Sequence, residues 1–183
     1  MKAPQRKADP ALCASFFRVV ANRLIGHGLV MNNRQSDFLP NEITTVDISG
    51  WADILPKRCR VLAANLFADL FIVDTEDAVH MLEVSAASIA KIAVSEEEFR
   101  QRCVNDEDGW LLRPLADQCR AAGMNPTADQ CYAFTQLPFL GGEYKTENIW
   151  LCSWREWISY TASVFAQTKD FPDGSAVSIR IVD

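Results

Sequence analysis

The sequence predicts an α+β fold, an antiparallel sheet of five or six strands with about four helices packed against it. Three observations carry this. Strand-like runs between 61 and 94 follow one another with only short turns between them, as in an antiparallel meander and not in βαβ units. Runs with helical spacing and capping signals stand before and after them. Apolar residues make up 49% of the chain, with five Trp and ten Phe, enough for a packed core in one domain.

Asp9-Pro10 pairs an N-cap with a proline at the first helical position, and Leu12, Phe16, Val19, Val20 and Leu24 recur at helical spacing before Gly26 and Gly28. This predicts a helix over 10–26. A polar stretch with turn signals follows at 29–43, then an extended piece at 43–48 and a one-turn helix at 50–55 ended by Pro56. Residues 1–60 thus read as an N-terminal helix and irregular lead-in packed on a main domain over 61–183.

In that domain VLAANLF (61–67), DLFIVD (69–74), AVHMLEV (78–84) and SIAKIAV (88–94) read as successive strands, the turn DTED joining the second to the third. Ser95 with Glu98 forms a capping box for a helix over 95–104, and Glu96, Glu97 and Glu98 suit its dipole. A second helix is expected over 110–122, with Gly123 past its end. A strand at 130–137 leads through Gly141-Gly142 to another at 148–152. Adjacent glycines between apolar runs call for a positive φ or a very close chain approach. Ser153 with Glu156 repeats the capping-box pattern before a helix over 153–168, whose stripe includes Trp154, Trp157, Ile158 and Phe165. FPDG (171–174) reads as a turn, and AVSIRIV (176–182) alternates as a closing strand.

Charge is uneven. Residues 1–60 carry nine basic and five acidic groups, residues 61–108 three and eleven, and residues 109–183 six and eight. The acidic middle works against nucleic-acid binding and suits a basic protein partner. No apolar run is long enough to span a bilayer. Lys2, Arg6 and Lys7 precede an apolar stretch, but Arg18 and Arg23 interrupt it, so it reads as an amphipathic helix and not a targeting segment. The six cysteines (Cys13, Cys59, Cys103, Cys119, Cys131 and Cys152) form no C-x-x-C pair and sit mostly in apolar segments, the pattern of reduced thiols in a cytoplasmic protein.

Little here reads as catalysis or cofactor binding. His27 and His80 lack ligand-spaced partners, so no metal or cofactor is expected. LGGEY lacks the Gly-Lys-Ser/Thr of a phosphate loop. Asp69, Asp74, Glu76 and Asp77 gather around one predicted hairpin without calcium-loop spacing, and they are the candidate docking edge for a protein, with Glu143 beside the Gly-Gly turn added to them. The alternative is a small-molecule-binding or cysteine-dependent hydrolytic protein with a pocket near the Gly141-Gly142 turn, using Glu143 and a cysteine; separately, a Cys–His dyad would pair, for example, Cys131 with His80 across the sheet.

An ordered series, NLFADLFIVD (65–74), VHMLEV (79–84), SEEEF (95–99), CYAFTQLPFLGGEYKTENI (131–149) and DFPDG (170–174), resembles the C-terminal domain of bacterial type VI secretion DNase-immunity proteins. That domain, long of unknown function, is grouped with the SMI1/KNR4-like (SUKH) immunity proteins. The resemblance spans residues 60–183 and implies a non-enzymatic α+β protein that binds a secreted toxin and neutralises it in the cytoplasm; the acidic hairpin would complement a basic surface on that toxin.

Overall fold

The computed structural model describes residues 36–40, 42–172 and 175. The expected helix at 10–26 and closing strand at 176–182 lie outside the described residues. Strands β1 (Cys59–Ala64), β2 (Leu70–Asp74), β3 (Val79–Glu83) and β4 (Ser88–Ala93) pair antiparallel in sequence order, as the meander reading expects. Strands β5 (Gln130–Phe134) and β6 (Ile149–Ser153) form a separate two-stranded sheet. Three α-helices fall among the described residues: α1 (Glu96–Asn105), α2 (Arg113–Ala121) and α3 (Trp154–Thr168).

The α+β class holds, but among the described residues the single sheet of five or six strands is corrected to a sheet of four and a sheet of two. The cause lies at Asn65. Its Oδ1 accepts from the backbone N–H of Phe67 at 2.9 Å and of Asp69 at 3.0 Å, closing a side-chain turn, and Ala68 takes φ 62°. The strand expected over 61–67 therefore stops at Ala64. Next to the Asn65 turn, Phe38 bridges Asn65 and Leu39 N–H donates to Ala64 O. β5 then meets a turn and not a strand, and one backbone hydrogen bond, Tyr132 N–H to Leu66 O at 2.8 Å, joins the two sheets there.

β2 reads as an unbroken apolar run because both of its faces are covered. Phe71 and Val73 point with Val79, Met81 and Ala93 toward Phe99 and Cys103 of α1 and toward Leu111. Leu70 and Ile72 point with Leu82 into the larger core, shared with the β5–β6 hairpin, α2 and α3. Leu39, Ile43, Ile48 and Trp51 also fill that core. Trp51 is fully buried, stacked on Phe165 with ring centroids 5.2 Å apart, and its Nε1–H donates to Ile158 O at 3.3 Å. The extended piece expected at 43–48 is instead a turn, in which Asp47 accepts from both the N–H and the Oγ1–H of Thr44 at 2.8 Å. The one-turn helix expected at 50–55 is a 3₁₀ turn over Ser49–Trp51 that continues as bends to Leu55.

The capping boxes differ in outcome. Ser95 Oγ accepts from Glu98 N–H at 3.2 Å, while Glu98 Oε2 accepts from Val94 N–H, one residue earlier than the pattern predicts. Ser153 makes no side-chain cap. It belongs to β6, opposite Gln130, and Trp154 N–H donates to Asp129 O. The helix expected from 110 starts at Arg113, because Leu112 sits at φ 48° and Pro114 belongs in a first turn. The strand expected to 137 ends at Phe134, where the chain enters a 3₁₀ turn at Pro138–Leu140.

Candidate functional site

Asp69 leads inward. It is 2% exposed, with Oδ1 accepting from Val84 N–H at 3.0 Å and Oδ2 from Asn65 Nδ2–H at 3.1 Å. Asn65 also donates to Trp110 O at 2.9 Å, so the pair ties the β1–β2 turn to the end of β3 and to the segment after α1. Burial pushes the Asp69 carboxyl up to about 7, against the Asn65 hydrogen bond and with help from the Glu83 charge. The docking edge read from the sequence loses this residue, whose carboxylate clasps the fold.

Asp74 organises the turn at the far end of β2. Its Oδ1 accepts from Glu76 N–H at 2.8 Å and Ala78 N–H at 3.1 Å, and its Oδ2 lies 2.8 Å from His80 Nε2. The His80 hydrogen bond, with those two backbone donors, holds the carboxyl below its ordinary value against partial desolvation. Glu76 and Asp77 are exposed at the tip, where Asp77 takes φ 67°.

The first turn of α1 lies at this same end of the sheet. Arg60 stands opposite Val73, the residue before Asp74, and its guanidinium pairs with Glu96. Glu96 also receives Arg100 at 2.7 Å. Asp74, Glu76 and Asp77 therefore share one end with Glu96, Glu97 and Glu98, an end that stays acidic although Arg60 and Arg100 offset part of its charge. From it α1 runs about 15 Å at 1.5 Å per residue toward the acidic loop at 106–108.

Glu143 lies elsewhere. Gly141 takes φ 86°, and a Cβ on Gly142 would sit 1.9 Å from Gln136 O, so the two glycines meet the two backbone demands one each. Asn148 clamps the loop: its Oδ1 accepts from Gln136 N–H, and its Nδ2 donates to Gln136 O and Glu143 O. Phe139 N–H donates to Ser85 O, which seats the loop on the β3–β4 turn. That turn is at the Asp69 end of the sheet, about 17 Å along β2 from Asp74 at 3.3 Å per residue. Glu143 is exposed and paired with Lys145 at 2.8 Å. The five sequence candidates thus divide between a buried clasp, an acidic turn and a distant loop.

Cys59, Cys103, Cys119, Cys131 and Cys152 are free thiols, all but Cys59 buried. Burial raises the pKa of each, that of Cys103 to about 12, which works against a thiolate nucleophile. Cys131 is on β5 and His80 on β3, in different sheets, and His80 is engaged by Asp74. Among the described residues no three His, Cys, Asp or Glu side chains gather as a metal site, and no helix is long and apolar enough to cross a membrane.

Two exposed apolar residues were missed from sequence: Val94, 67% exposed in the bend before α1, and Val104, 62% exposed on α1. Beside Val104, Gln101, Arg102, Asn105, Glu107 and Asp108 line a surface pocket of about 280 Å³.

Fold and surface together define an α+β protein with an acidic end and a partly exposed helix. Residues 94–162, from the start of α1 into α3, match the family model described as T6SS immunity protein Tdi1, C-terminal. The resemblance drawn from the sequence is thereby supported for this segment, and NLFADLFIVD and VHMLEV lie before it. No curated protein matches the chain.

Proposed function

We propose that this chain is an immunity protein that binds a toxin of the type VI secretion system and neutralises it by occupying its surface, without chemistry of its own. The family match over 94–162 carries the reading. The acidic end supports a basic partner such as a nuclease, with Asp74, Glu76 and Asp77 as the docking edge beside Glu97 and Glu98. Like-signed carboxylates at one end of a molecule steer an oppositely charged protein and raise its association rate. Glu143 is at the other end of the sheet and is proposed only as a peripheral contact.

Co-expression with a candidate type VI secretion toxin from the same genome tests this. Cells carrying both should grow while cells carrying the toxin alone do not, and the two purified proteins should co-elute. Unchanged toxicity, with separate elution, would contradict the reading.

A further inference from the structure

We infer that the outward face of α1, with the pocket at its C-terminal end, also receives the basic partner, Val104 being its apolar anchor and Glu107 the acceptor for an incoming Lys or Arg. The inference rests on the immunity reading and extends the contact from the acidic edge named there along α1.

α1 has two distinct sides. Phe99 and Cys103 are buried against β2, and Phe99 packs on Phe71 with ring centroids 4.6 Å apart. The opposite side presents Glu97, Gln101, Val104 and Asn105, which share the outward face of the helix. Val104, 62% exposed, stands on that face next to the residues that line the pocket. An apolar group that sheds water beside a charged contact is the arrangement in which such a contact binds strongly.

The pocket identifies the kind of group received. Arg102, which forms one wall, already has its charge matched: it donates to Asp108 at 3.0 and 2.7 Å and to Ile92 O at 2.7 Å, and it lies 4.5 Å from the centre of the Trp110 ring. Its wall is therefore fixed. Glu107 receives only a long contact from Asn105 Nδ2 at 3.5 Å, so its carboxylate remains available. The volume, about 280 Å³, falls just under the range of small-molecule sites and accommodates one long side chain. With residues 61–108 holding eleven acidic and three basic groups, a cationic side chain has the matching sign.

Three exposed substitutions in the full chain test the inference: Val104→Asp, Glu107→Lys and, on β6, Trp150→Ala. The probe is the purified candidate toxin of that co-expression, with affinity and rates measured at two salt concentrations and folding checked by thermal melts. Val104→Asp should raise the dissociation rate about tenfold, and Glu107→Lys should slow association and flatten its salt dependence, while Trp150→Ala binds as wild type. Wild-type affinity in both α1 variants, or a loss confined to Trp150→Ala, overturns the face and leaves immunity standing. A Val104→Asp variant that loses self-association but keeps its toxin affinity would assign the face to a second copy of the chain, against the inference. A wild-type chain that does not bind the toxin overturns both readings together.

Discussion

Replacing Asp69 by asparagine isolates a titration that links stability to pH in the direction opposite to most carboxylates. In the folded chain this carboxyl has a pKa of about 7 against an ordinary 3.8, chiefly through burial. The groups around it that carry or could carry charge are Glu83 on β3, Tyr144 on the β5–β6 loop and Cys131 on β5. Between the two values the folded chain keeps a proton that the unfolded chain has released. Stability from this group therefore falls as pH rises from about 4 to about 7 and is level above that. A displacement of roughly three pH units corresponds to on the order of 4 kcal/mol, or about 1.4 kcal/mol per unit inside the window. Urea denaturation of wild type and Asp69→Asn from about pH 5 to about pH 8 measures it. The asparagine has its own cost, since its amide can face Asn65 Nδ2 donor to donor, so the slopes are compared and not the midpoints. The variant should lack the falling component, and a slope equal to that of wild type between about pH 5 and pH 7 would refute the reasoning.

Gly142→Ala places a Cβ 1.9 Å from Gln136 O and should lower the melting temperature sharply, by overpacking of about 3 kcal/mol or more. Gly109→Ala, with φ 72° and nothing within 4 Å, should cost only about 1 kcal/mol in the same calorimetric comparison. Arg113→Ala removes an ion pair to Asp37 at 2.9 Å and donors to Cys103 O and Val104 O at the end of α1. Urea titration should show a loss of about 2–4 kcal/mol, because Asp37 is left part-buried without its partner. Asp74→Asn acts on the acid side. The folded pKa of Asp74 is depressed, so its contribution is present above the ordinary carboxylate value and is lost as pH falls through the folded one. Acid unfolding of the variant should lack that component, and an acid limb identical to wild type would contradict the assigned pair with His80.

The meander was legible because β2 to β4 are apolar runs broken by turn residues, and turns that short leave antiparallel pairing as the economical solution. β1 was read too long because VLAANLF is apolar almost throughout. The signal against it was local, an asparagine four residues before an aspartate, both able to bond backbone N–H groups. The same clasp explains why Asp69 reads as surface by residue type and lies in the core. Ser153 and Glu156 match a capping box letter for letter, yet Ser153 is held in β6 by pairing with Gln130, and tertiary pairing overrode the local pattern. Leu39, Ile43, Ile48 and Trp51 reach the core from irregular backbone, where no periodicity marks an inward side. On α1 the acidic residues could be read, but the exposed Val104 could not, since only packing reveals which face Phe99 and Cys103 occupy.

Neutralisation by occupancy is tested most directly by titrating the purified chain against a fixed amount of active toxin and following the residual toxin activity. Occupancy requires a linear fall that reaches zero when the chain equals the toxin in number, with activity recovered when the complex is dissociated. Complete inactivation by a small fraction of that amount, or a loss that persists after the chain is removed, would mean that the chain turns over, and would contradict it.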